Sequence, residues 1–159
     1  MSIIIRPITL SDKARWLELF KEYVIFYKSK VSDEQFELTW QRIHSDFNMY
    51  GLIAELDGQI VGLAHYIFRP STWEVEDFCY LEDLFVDPKY RGAGHGKALL
   101  IRLAQICVER GYPRFQWWVL DWNKPAIDFY KSLGAQAMDQ WTVFRLNEDA
   151  ITKLAAESN

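Results

Sequence analysis

Val86-Asp87-Pro88-Lys89-Tyr90-Arg91-Gly92-Ala93-Gly94-His95-Gly96-Lys97-Ala98-Leu99-Leu100 joins an apolar, β-rich run to an amphipathic one. The run before it, Phe78 to Val86, reads as a strand that stops at Asp87-Pro88; the run after it, Gly94 to Arg110, reads as a helix. Glycines at such a junction let backbone N–H groups converge on an anion, and the positive end of the helix dipole adds to the attraction. Glycines alone also suit a plain tight turn. Arg91 and Lys97 favour a phosphate-bearing ligand, although each could simply be solvated. Two nucleotide motifs fail: a Walker loop needs Gly at Arg91 and Ser or Thr at Ala98, and a dinucleotide fingerprint starting at Gly92 needs Gly at Lys97. An ATPase or an NAD enzyme is disfavoured.

Phe115 to Leu120 reads as the next strand, so strand, helix and strand form a parallel crossover. Upstream, Ile3 to Ile8 is a β-branched strand, and Trp16, Leu19, Phe20, Tyr23 and Phe26-Tyr27 recur at helical spacing. Ser32-Asp33-Glu34-Gln35 starts a second helix that continues through Phe36, Trp40 and Ile43 towards Asp46. Leu52 to Leu63 holds two apolar runs around Asp57-Gly58, a hairpin signal. Downstream come a helix from Pro125 to Leu133 and a last strand near Trp141 to Leu146. The class is mixed α/β, a parallel crossover attached to an antiparallel meander, in a single domain over residues 1–159.

The chain has 159 residues, half of them apolar, with seven Trp and a net charge of −4. That balance disfavours nucleic acid as a partner. No apolar run approaches the roughly 20 residues that span a bilayer, and the start Met1-Ser2-Ile3-Ile4-Ile5-Arg6-Pro7 lacks the features of a signal peptide. A cytoplasmic protein without a membrane contact is expected. Cys79 and Cys107 form no ligand pattern, so core packing is expected, with neither a disulfide nor a metal.

Arg91-x-x-Gly94-x-Gly96 after Leu84-Phe85-Val86 resembles the pyrophosphate loop of the GNAT family of N-acetyltransferases. Ile4-Ile5-Arg6-Pro7 resembles that family's first strand, and Asn123-x-x-Ala126-x-x-Phe129-Tyr130-x-x-x-Gly134-Ala135 its last conserved helix and following turn. More narrowly, Tyr80 to Val86 and the block Trp122-Asn123…Phe129-Tyr130-Lys131 are similar to the diamine (spermidine/spermine) acetyltransferases and to yeast histone and polyamine acetyltransferases.

The resemblance implies a three-layer fold: a mixed, mostly antiparallel sheet with one splayed parallel pair and helices on both faces. It also implies acetyl transfer from acetyl-CoA to an amine by direct attack, and a homodimer. Residues 91–97 (Arg91, Gly92, Ala93, Gly94, His95, Gly96 and Lys97) are then expected to cradle the pyrophosphate, and Leu84, Phe85 and Val86 to hold the pantetheine arm through backbone groups. Asn123 and Phe129 are expected near the cofactor, Asn123 serving equally well as a helix cap. Tyr130 matches the family's general acid, although by position alone it is a packing residue. Glu82 matches a glutamate that acts as base through water, and is otherwise an ion-pair partner. On a regular pleat Asp83 points to the opposite face from Glu82 unless a bulge intervenes.

From Glu74 to Asp87 there are six acids and no Lys, Arg or His, whereas Lys89, Arg91, His95, Lys97 and Arg102 follow at once. An anionic cofactor on the basic side and a cationic acceptor on the acidic side fit that polarity, as does a merely solvated acidic loop. Tyr27, Trp73, Glu82 and Asp83 are the candidate acceptor residues. A polyamine or diamine is the favoured acceptor. A protein lysine or N-terminal amine comes next, and a CoA-binding module without turnover is the non-enzymatic rival. His65, isolated on an apolar strand, is expected to be structural.

Overall fold

A computed structural model describes residues 2–157. The chain forms two compact units, one ending at Trp118 and the other beginning at Val119. The first contains strands β1 (Ile3–Pro7), β2 (Met49–Leu56), β3 (Gln59–Arg69), β4 (Phe78–Val86) and β5 (Phe115–Gln116), and helices α1 (Lys13–Phe26), α2 (Asp33–Ile43) and α3 (His95–Arg110). The sheet order follows the chain, β1-β2-β3-β4-β5. The first three pairings are antiparallel and β4–β5 is parallel. The expected hairpin closes with Asp57 and Gly58 both at positive φ (49° and 79°), the two-residue turn whose twist matches that of the strands.

Helices cover both faces. Trp16, Leu19 and Phe20 of α1 and Phe36 and Trp40 of α2 pack on Ile53, Leu63 and Phe85, whose cross-strand pairing puts them on one face. α3 lies against the other face, where the Cys107 thiol meets that of Cys79 on β4. Both cysteines are buried and free, and their contact together with burial pushes the Cys79 thiol up.

Arg6 of β1 forks onto Asp12 at 2.8 and 3.0 Å and also reaches Glu55, tying the first strand to the turn that enters α1. The Thr9 backbone N–H donates to the same Asp12 carboxylate at 2.7 Å.

The second unit holds α4 (Lys124–Ser132) and α5 (Glu148–Ala155). The Asn123 side-chain oxygen accepts the Ala126 N–H at 3.4 Å, with Pro125 in the first turn, so the helix starts where the cap signal placed it. Gly134 at φ 92° ends it, with the Ala135 N–H returning to the Tyr130 carbonyl.

Two expected strands need correction. Phe115 to Leu120 is a strand only over Phe115–Gln116, because its ladder with β4 stops at Tyr80, just before β4 bulges. Trp141 to Leu146 is rich in aromatic and β-branched residues but is not a strand, since its own unit offers no ladder partner among the described residues. The second helix also ends earlier than expected, at Ile43, where His44 caps it.

Candidate active site

The bulge in β4 organises the candidate site of the first unit. His65 pairs with Asp83 and Tyr66 with Leu81, so Glu82 is an extra residue opposite no partner. The Cys79 N–H donates to Arg114 on the β5 side at 3.0 Å, while the Asp87 N–H donates to Val61 on the β3 side at 2.8 Å. Eight residues apart on a regular strand, these groups would share one edge. The bulge inverts the parity, so the N–H and C=O groups of Leu84 and Val86 face away from β3, beyond the last β4–β5 pair. Phe85 keeps its carbonyl towards β3, where a Cβ on Gly62 would come within 3.1 Å of it.

The loop between β4 and α3 has Gly92 and Gly94 both at φ 83°, a conformation other residues rarely adopt, with open space where a side chain would stand. Both glycines precede the sixteen residues of α3, so the loop fits an anion such as pyrophosphate. Lys97 and Ala93 are exposed in the same segment, and Gly96 lies against Val86. His95 is buried, and neither of its ring nitrogens has a hydrogen-bond partner among the described residues. Arg91 folds back instead of standing free: its Nε donates to the Val86 carbonyl at 2.9 Å, and its guanidinium lies over Phe85 at 5.3 Å.

On the α1–α2 side, a cavity of about 450 Å³ opens between the helices and strands β2 to β4. Glu82 and Asp83 both line it, because the bulge removes the alternation that would part them. Behind Asp83 stands His65, 2% exposed, with Nδ1 2.9 Å from Oδ2 of Asp83. The Trp16 indole N–H donates to His65 Nε2 at 2.8 Å. An accepting Nε2 carries no proton, so the neutral ring holds its hydrogen on Nδ1 and donates it to Asp83. Burial, with the Asp83 charge and the neighbouring Tyr27, raises the Tyr23 phenol well above its ordinary range. Burial and then the Asp83 charge likewise raise the Glu82 carboxyl, though Glu82 still reaches solvent at the cavity mouth.

The acidic run resolves into separate roles. Asp87 is buried, pairs with Arg15 at 2.6 Å and caps the following turn; Glu74 pairs with Arg114 at 3.3 Å. Of the six acids only Glu82 and Asp83 line the cavity. Tyr27 lines it too, with its ring 4.9 Å from that of Tyr23. Trp73 does not: it is 87% exposed in the β3–β4 connection. His65, expected from sequence to be structural, lines the cavity, as do Tyr23 and Arg42, which were not among the candidate site residues; nothing local marks a buried histidine as the partner of an acid eighteen residues away. In the second unit Asn123 caps α4, and Phe129 and Tyr130 sit side by side on it with ring centroids 5.5 Å apart.

The bulged β4 is followed by the glycine loop and α3, and a family model described as the acetyltransferase (GNAT) family matches residues 16–135. The chain belongs to the GNAT family. It is 33% identical to a thialysine N-epsilon-acetyltransferase of Sus scrofa, across 98% of this chain and 99% of that one. It is 30% identical to a D-amino-acid N-acetyltransferase of Saccharomyces cerevisiae, across 80% and 81%. Among solved structures, an integron cassette protein from the mobile metagenome of V. cholerae superposes with a TM-score of 0.80 at 24% identity, each chain covered to 99%. The sheet with its single parallel pair is thus the GNAT fold, and the protein is an N-acetyltransferase.

Proposed function

We propose that the protein transfers acetyl from acetyl-CoA directly to a small cationic primary amine, and that residues 1–159 act as one acetyltransferase domain. The family match, which runs across the boundary between the two units, supports the single domain. The observation that carries the acceptor reading is the bulge at Glu82: one strand offers two carboxylates to a cavity and turns the backbone of Leu84 and Val86 to its other edge. A cavity of this volume suits a small molecule, which favours a free amine over a lysine on a folded protein.

In this reading the loop from Arg91 to Lys97 holds the pyrophosphate of acetyl-CoA, and Leu84 and Val86 hold its arm and offer an N–H to the thioester oxygen. Asn123 and Phe129 are assigned to binding the cofactor. An alkylammonium has a pKa of about 10.4 and is a nucleophile only after losing a proton. Glu82 takes that proton through water, a task its raised pKa suits. The amine lone pair then forms the C–N bond as the C–S bond breaks, Tyr130 gives its phenolic proton to the leaving thiolate, and the second proton shed by the new amide nitrogen restores the phenol. Tyr27 and Asp83 bind the acceptor's cationic end, and Trp73, exposed outside the cavity, is assigned only to larger acceptors. A cytoplasmic homodimer completes the proposal, its subunit number to be read by sedimentation.

Thiol release from acetyl-CoA, followed across spermidine, short diamines, basic amino acids and a lysine peptide, tests the reading. Turnover with small amines and little with the peptide is expected. CoA binding without turnover on any amine overturns it.

A further inference from the structure

The two walls of the acceptor cavity carry opposite charge. On β4 stand Glu82 and Asp83; on α2, Gln35, Thr39 and Arg42 line the same space at helical spacing, beside the apolar stripe Phe36, Trp40 and Ile43 that enters the core or packs against it. The stripe is ordered: the Thr39 hydroxyl donates to the Gln35 carbonyl at 3.0 Å, and the Gln35 amide donates back to Thr39. Arg6, Arg15, Arg102 and Arg114 each have a carboxylate partner. Arg42 has none among the described residues; its guanidinium lies 4.5 Å over the Phe47 ring, which holds the fork in place without neutralising it. A polyamine bound along this cavity brings a second ammonium towards a guanidinium, an arrangement that like-charge repulsion disfavours. An acceptor with an amine at one end and a carboxylate at the other satisfies both walls, and a guanidinium fork matches a carboxylate in shape as well as in charge.

We infer that Arg42 is the specificity-determining residue that reads an acceptor carboxylate, so that the substrate class is ω-amino acids with an α-carboxylate in preference to diamines and polyamines. This rests on the acetyl-transfer reading above and narrows its acceptor. The ω-amine lies at Glu82 and Asp83, and the carboxylate lies at Arg42 with Gln35 and Thr39 as neutral neighbours.

Two matched pairs isolate the carboxylate: L-lysine against pentane-1,5-diamine and L-ornithine against butane-1,4-diamine, each diamine being the amino acid without its carboxylate. The wild-type protein is expected to favour the amino acid in kcat/KM by at least about ten-fold. Arg42→Met, which keeps an apolar stem over Phe47, is expected to collapse that ratio mainly through the KM of the amino acid. Arg42→Lys is expected to restore part of it, and Arg42→Glu to invert it. A wild-type preference for the diamines, or an equal loss on both members of each pair in Arg42→Met, overturns the inference. If no amine is acetylated, the acetyl-transfer reading fails on its own, and calorimetric titration of the same pairs judges Arg42: tighter amino-acid binding that disappears in Arg42→Met upholds the carboxylate site, and indifferent binding overturns it.

Discussion

His65 donates to Asp83 across 2.9 Å from a ring whose other nitrogen is held by Trp16 at 2.8 Å, so a partly buried carboxylate at the cavity wall has a fixed neutral donor behind it. Protonating Nε2 would set two donors against each other, because the Trp16 indole can only donate. The arrangement keeps Asp83 aimed at the cavity without neutralising its charge, as an ammonium-binding carboxylate requires.

Replacing His65 with Leu leaves the Trp16 N–H and the Asp83 carboxylate without this partner in a buried setting. A loss of about 2–4 kcal/mol is expected from denaturant unfolding. His65→Gln, which can accept from Trp16 and still donate towards Asp83, is expected to recover much of that stability. It should raise the KM for the amine while leaving that for acetyl-CoA close to its wild-type value.

Glu82→Gln removes the proposed base. Turnover is expected to fall by about 10²-fold or more, with little change in acetyl-CoA affinity. A base must be deprotonated to act, so activity rises with pH through the Glu82 pKa, and burial with the Asp83 charge places that limb above the ordinary carboxylate range. The pH profile of kcat/KM should lose this limb in the variant; a profile identical to wild type removes Glu82 from the role.

Tyr130→Phe deletes only the hydroxyl on α4. Turnover is expected to drop by about 10²-fold while acetyl-CoA binding, read by calorimetry, stays near wild type. An unchanged rate assigns the acid to another group.

Asp12 ties the first strand to the turn into α1, and its carboxyl is lowered to about 2, chiefly by the Arg6 hydrogen bonds and against the opposing effect of burial. A folded-state pKa below the unfolded one gives stability that is present above about pH 4 and lost as pH falls towards 2. Asp12→Asn is expected to cost about 2 kcal/mol near neutrality and to flatten the acid side of the stability profile, measured by urea unfolding at pH 3, 5 and 7.

Local chemistry carried much of this architecture. β-branched residues marked the strands, Asp57-Gly58 the hairpin turn, Asn123 with Pro125 the start of α4, and the glycines the tight turn at the head of α3, because each depends on the conformational limits of a few adjacent residues. Family resemblance carried the chemistry assigned to Tyr130 and Glu82, residues that periodicity alone would have left to packing or surface charge.

Tertiary structure decided what depends on partners distant in sequence. Alternation along β4 separates Glu82 from Asp83; the register against β3 inserts a bulge that reunites them and turns Leu84 and Val86 to the other edge. The Trp141 to Leu146 run, strand-like in its aromatic and β-branched content, does not become a strand because a ladder needs a second backbone. Nothing local marks Arg42 as a site residue, and His65 reads as an isolated structural histidine. The first gained meaning from the acids across the cavity and the second from Trp16 and Asp83, because a charge or a proton is given its role by the groups that face it.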